Sequence, residues 1–360
     1  MARGRLVRNV AFGVGAAAFG AATTAAGVRV AARRLRGRPD PEAGENLGTL
    51  PPEDLTPAVS FDGTELAVRA AGPEGAPTVI FSHGFSLDMT TWYYQWRHLS
   101  DRYRVVLFDY RGHGRSGRPP DGDFSLRSMG RDLRAVLDRA APEGPAVVVG
   151  HSMGGMALLS FAEEFPEEFG TRVSGVVLAD TAASDLVREA LGDLGSRAER
   201  ALRPLLWRIA GNLDRTDRVR RVVQQRGADL ALLVARVTNF GPDASPSQVD
   251  HVSRLSASAP VEVWVHTARD LVDMDFREAL ANITVPALVV VGDRDLLTPK
   301  GSAEAMRDAL PQGRAVAIAR AGHVSMMERH RVFNEVLDGF LQEVLPAKPK
   351  RSRARKSTRT

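Results

Sequence analysis

Six short apolar runs recur along the middle of the chain: Thr78–Ser82, Arg104–Phe108, Ala146–Val149, Val173–Ala179, Ala287–Val291 and Ala315–Ala319. Each is continuous rather than alternating, so both faces of such a strand must be covered, as in a parallel sheet sandwiched by helices. Helical stripes separate them. Leu126, Met129, Leu133, Val136, Leu137 and Ala140 form one; Leu158, Phe161, Ala162 and Phe165 a second; Val332, Phe333, Val336, Leu337, Phe340, Leu341 and Val344 a third. Strand and helix in alternation predict an α/β fold, a doubly wound and mostly parallel sheet. Ahead of it, Ala58–Phe61, Asp62-Gly63 and Glu65–Ala70 read as a hairpin, the Asp-Gly pair supplying its turn. From Ser184 to about residue 259 no strand candidate occurs, and the stretch reads as a helical cap inserted at one edge of the sheet.

The ends differ from this body. Of 48 basic residues, fifteen lie in segments 1–38 and 347–360, which hold no acid; residues 39–346 then carry 33 bases against 43 acids, a formal −10. Such a body is a poor electrostatic partner for nucleic acid. Residues 9–28 carry no charge and are flanked by arginines, which predicts a single membrane anchor or, as alternatives, a cleaved signal or a soluble extension. With an anchor, arginine counts place the body on the cytoplasmic side; without one the protein is cytoplasmic or secreted. Residues 39–57, rich in proline and acid, read as a linker to a domain over 58–345, and residues 346–360 as a disordered basic tail. The chain has no cysteine, which removes disulfides, thiolate metal sites and a cysteine nucleophile.

Chemistry concentrates at the ends of the apolar runs. Gly150-His151-Ser152-Met153-Gly154-Gly155 joins the run 146–149 to a helix. A strand–turn–helix corner this sharp strains the residue at its apex and leaves no room for side chains at 150 and 154. It lifts the Ser152 hydroxyl clear of the sheet beside a helix N-terminus. A serine hydroxyl is a weak nucleophile at its free pKa and requires a base and an orienting acid. His323, after the last apolar run, follows the chain order Ser…Asp…His; His113 sits at the same end but precedes the serine, and His151 reads as packing the corner. His98, His251, His266 and His330 read as surface or packing residues. Asp295, past the run 287–291, is the best-placed acid, with Asp293 fixing the loop and Asp180 as its rival. Backbone N–H groups of Phe85 and Met153 are placed to receive developing negative charge. Trp92, Tyr93, Tyr94 and Trp96 read first as core and surface of a helix.

His83-Gly84-Phe85, the Asp109–Gly114 sequence DYRGHG, GHSMGG at 150–155, GDRDLLTP at 292–299 and AGH at 321–323 occur in the order found in the α/β-hydrolase superfamily, which the chain resembles from about residue 58 to 345. The resemblance implies Ser152 as nucleophile, His323 as base, Asp295 as acid and an oxyanion hole at Phe85 and Met153. The GHSMGG corner is similar to that of esterases, monoacylglycerol-lipase-like enzymes and cofactor-free haloperoxidases. The expectation is a serine hydrolase cleaving a small-molecule carboxylic ester, with no metal or organic cofactor. A haloperoxidase or perhydrolase, or a carbon–carbon bond hydrolase, could use the same three residues, and a non-catalytic binding module is the remaining alternative.

Overall fold

The structure, a computed structural model, describes residues 25–184 and 228–345. In chain order its elements are α1 (Ala25–Arg36), β1 (Glu53–Val59), β2 (Glu65–Ala71), β3 (Thr78–Ser82), α2 (Tyr93–Leu99), β4 (Arg104–Phe108), α3 (Leu126–Ala140), β5 (Ala146–His151), α4 (Met153–Glu164) and β6 (Val173–Ala179). After the undescribed residues come α5 (Ala228–Asn239), α6 (Pro246–Ser258), α7 (Val261–Asp273), β7 (Ala287–Gly292), α8 (Lys300–Ala309), β8 (Gly313–Ile318), the short α9 (Ser325–Glu328) and α10 (His330–Val344).

Among the described residues, eight strands form one sheet in the order β1-β2-β4-β3-β5-β6-β7-β8. Pairing is antiparallel at β1/β2 and β2/β4 and parallel at every other step, so β2 alone runs against the rest. The continuous apolar runs behave as their composition demands. Within β5, Ala146 and Val148 pack into one core with α3, α4 and α8; Val147 and Val149 pack into the other with α2 and α10. A strand that alternates between two dry cores has no polar face to show, hence its uninterrupted hydrophobicity. The chain leaves β3 towards β4 on one side and returns past it to β5 on the other. The carboxyl ends of β3 and β5 therefore flank a crevice, the place where open α/β sheets take their ligands.

Two expectations about the N-terminal region are corrected. The membrane anchor over 9–28 fails: among the described residues no helix is long and apolar enough to cross a membrane. Residues 9–24 of that span lie outside the described residues, and residues 25–28 open α1. This helix has three arginines in its last turn, buries Ala32 and Leu35 in the core shared with Leu232 and Ala235 of α5, and pairs Arg36 with Asp229 at 2.7 Å. The helix carries a basic face and docks on the folded body through these residues while Val30 stays exposed, and the placement on one side of a membrane falls with the anchor. The stretch 39–57 is packed, not a free linker. Asp40 accepts from Ser247 N–H at 3.0 Å, Glu42 from the Tyr94 hydroxyl at 3.2 Å and Glu45 from the Tyr93 hydroxyl, while Leu47 is buried. Its last residues belong to β1. Of the helical insertion, 185–227 lies outside the described residues; the rest folds as α5 and α6, followed by α7.

Candidate active site

Ser152 sits between β5 and α4 with φ 51° and ψ −119°, a conformation side chains rarely adopt. Its N–H is tied to the carbonyl of Ala179 at the end of β6 (3.0 Å), and its own carbonyl accepts from the Thr181 hydroxyl (2.7 Å). The corner closes because its glycines let backbones touch. A Cβ on Gly150 would lie 2.7 Å from the Gly154 carbonyl oxygen, and one on Gly154 would lie 2.6 Å from the carbonyl oxygen of Ser82 at the end of β3. β3 and α4 thus meet in backbone contact directly under the serine.

Three loops converge there. His323, in the loop between β8 and α9, accepts the Ser152 hydroxyl at Nε2 (2.9 Å) and donates from Nδ1 to Asp295 Oδ2 (2.9 Å). Both partners are buried, with 4% of His323 and 6% of Asp295 exposed. Asp295 Oδ2 also accepts the Thr298 hydroxyl (2.6 Å), while Oδ1 accepts the N–H groups of Leu297 (2.8 Å) and Thr298 (3.1 Å). Burial opposes the Asp295 charge, yet the His323 charge beside it and these donors hold its pKa below the ordinary carboxylate value. Burial likewise disfavours charge on His323, but the Asp295 carboxylate and its hydrogen bond outweigh it and raise the histidine pKa. The pair therefore favours a negative carboxylate behind a basic imidazole.

Asp293 and Asp180 also serve this constellation without touching His323. Asp293 accepts from Arg320 N–H at 2.6 Å, bracing the histidine loop. Asp180, fully buried with φ 45°, accepts from Gly292 N–H at the end of β7 (2.8 Å) and from the N–H (3.0 Å) and hydroxyl (2.6 Å) of Ser325. It links the loop that carries Asp295 to the one that carries His323. Burial and the nearby Asp295 charge push its carboxyl above the ordinary range.

His151, read from sequence as packing, does something more specific. Its Nε2 donates to the carbonyl of His323 at 2.8 Å. Burial, then the neighbouring His323 charge, bring its pKa down to about 3, so it stays a neutral donor. His83 donates from Nδ1 to the carbonyl of Gly84 (2.9 Å) and accepts Tyr110 N–H at Nε2 (3.1 Å), tying the loop after β3 to the end of β4; burial lowers its pKa to about 4. His113 is buried, with Nδ1 on the Arg111 carbonyl at 3.0 Å and its ring against His83. His98 pairs with Asp338, His251 with Thr90, and His330 stacks on Tyr94 at 3.8 Å. Trp92, Tyr93 and Tyr94 are buried in the core that α2 shares with α10.

A Cβ on Gly84 would approach the Ser152 Cβ to 3.2 Å, which places Gly84, the residue before Phe85, beside the serine. Met153 opens α4, so its N–H has no carbonyl within the helix to bond. The Phe85 ring meets Trp264 of α7 edge-on, centroids 4.5 Å apart, and the Ser86 hydroxyl donates to that of Ser256 in α6 at 3.2 Å, so both α7 and the insertion border the same loop. Among the described residues no group of three or more His, Asp or Glu side chains could hold a metal ion.

The chain is similar over most of its length to several known proteins. A 3-oxoadipate enol-lactonase of Acinetobacter baylyi is 26% identical over 75% of this chain and 91% of its own. A dihydrolipoyllysine-residue acetyltransferase component of an acetoin cleaving system, from Cupriavidus necator, is 31% identical over 80% of this chain and 70% of its own. Among solved structures, a thermophilic esterase from Thermogutta terrifontis superposes with a TM-score of 0.64 at 26% identity, covering 81% of this chain and 99% of that one. The family model of the alpha/beta hydrolase fold matches residues 77–330, which span all three loops, and the chain belongs to that family.

Proposed function

We propose that this chain is a serine hydrolase that cleaves a small carboxylic ester through an acyl-enzyme on Ser152. The observation that carries the reading is the unbroken chain from the Ser152 hydroxyl through His323 to Asp295, two contacts of 2.9 Å with the serine raised on a strained corner. In the proposed reaction His323 Nε2 takes the hydroxyl proton as the serine oxygen adds to the ester carbonyl. The resulting oxyanion accepts the Phe85 and Met153 N–H groups, donors of a kind worth about 3 kcal/mol each where one has been removed. The imidazolium, stabilised by Asp295, then protonates the departing alcohol. Water repeats the sequence on the acyl-enzyme with His323 again as base, and the acid leaves.

The names of two relatives support an ester as substrate, since a lactonase opens a cyclic ester and an esterase a linear one. The test is turnover of p-nitrophenyl esters graded in acyl length, wild type beside Ser152→Ala. Turnover that saturates and vanishes in the variant supports the reading. Turnover equal in both, or none with any ester or lactone, removes it.

A further inference from the structure

Besides Asp180, the proposed chemistry leaves a second buried carboxylate beside the histidine loop unused. Glu328, at the end of α9, is 8% exposed, and its Oε2 accepts two backbone N–H groups at once: Gly322, immediately before His323, at 2.8 Å, and Gly241, in the insertion between α5 and α6, at 2.7 Å. The two backbones press together. A Cβ on Gly322 would lie 2.5 Å from the Phe240 backbone, and one on Gly241 would lie 2.5 Å from the Arg320 carbonyl oxygen. Val324 N–H reaches the carbonyl of Asn239 at 3.1 Å, and Arg320 grips Asp243 through two contacts of 2.6 Å. That ion pair is largely exposed and contributes little by itself. A buried carboxylate serving two buried donors is the stiffer connection, because losing it strands both N–H groups away from water.

We propose that Glu328 is a positioning residue: by holding Gly322 and the insertion's Gly241 on one oxygen, it seats the His323 loop on the insertion and sets the reach of His323 to Ser152. The inference rests on His323 acting as the base. Gly322 adjoins His323, so any retreat of that N–H moves the imidazole, and a shift of an ångström at a catalytic group costs about a hundredfold in rate. What matters is the reach of the accepting oxygen rather than its charge, since both donors use the same atom.

Two substitutions separate reach from charge. Glu328→Asp keeps the charge and withdraws the oxygen by one methylene; Glu328→Gln keeps an accepting oxygen at full reach and removes the charge. With kcat normalised to serine sites titrated by a fluorophosphonate, so that unfolded molecules do not count, Glu328→Asp is expected to lose about a hundredfold in ester kcat with KM unchanged. Glu328→Gln is expected to stay within about threefold of wild type. Wild-type kcat in Glu328→Asp, or equal losses in both variants, would overturn the proposal. His323→Ala, run alongside, tests the underlying reading: retained turnover there removes the base assignment itself, whereas lost turnover there with an unimpaired Glu328→Asp removes the positioning role alone.

Discussion

Replacing Asp295 by asparagine probes the coupling between acid and base at nearly constant shape. Asp295 Oδ1 takes two loop N–H groups, from Leu297 and Thr298, which an asparagine carbonyl oxygen can keep. The other oxygen, which accepts His323 Nδ1–H at 2.9 Å, becomes an NH₂ donor. Facing a donor, Nδ1 must give up its proton and Nε2 must carry one, which aims an N–H at Ser152 Oγ where an acceptor is required. The charge that stabilises the imidazolium is lost at the same time. A wrong-tautomer substitution of this kind costs about 10⁴ in kcat, which at about 1.36 kcal/mol per decade is about 5 kcal/mol of transition-state stabilisation. Initial-rate hydrolysis of a p-nitrophenyl ester measures it, with circular dichroism and a thermal melt confirming that the variant is folded. Turnover by the Asp295→Asn variant above about a tenth of wild type would refute the assignment; if Asp180→Asn then abolished activity, Asp180 would be the acid.

The same pair sets the pH profile. His323 must be neutral to act, and its pKa lies above the ordinary histidine value of 6.5, so kcat/KM rises with pH on a limb centred above 6.5. Asp295→Asn should move that limb down; a wild-type limb below 6.5 would contradict the electrostatics. Gly150→Ala forces a Cβ to 2.7 Å from the Gly154 carbonyl and should cost about 2 kcal/mol or more, read as a lower urea midpoint at unchanged slope. Arg111 and Asp132 form a fully buried bidentate pair, with Asp62 2.9 Å from the same guanidinium. Asp132→Ala should therefore destabilise by about 3 kcal/mol, and a midpoint equal to wild type would show that Asp62 alone suffices.

The parts of the fold legible in the sequence were those with a local signature. Strands buried on both faces must be apolar throughout, so β3 to β7 announce themselves, and the stripe from Leu126 to Ala140 coincides with α3. Ser152, Asp295 and His323 each follow a strand end, and each loop has its own pattern. What stayed hidden depends on contacts distant in sequence. Residues 39–57 look like a linker because polar bonds from Asp40, Glu42 and Glu45 hold them down, and no apolar period records such partners. The uncharged stretch 9–28 resembles an anchor in composition, yet its described end opens a basic helix docked through Ala32, Leu35 and the Arg36–Asp229 pair. The bonds of His151 to the His323 carbonyl and of Glu328 to Gly322 and Gly241 involve main-chain atoms, which leave no residue-type signal.

The most direct measurement is to treat purified protein with a fluorophosphonate and locate the adduct by peptide mass spectrometry. An activated serine at the β5–α4 corner predicts one adduct, on Ser152, lost in Ser152→Ala and slowed in His323→Ala. Folded wild type that takes no label, or a Ser152→Ala variant labelled at the wild-type rate, would contradict it.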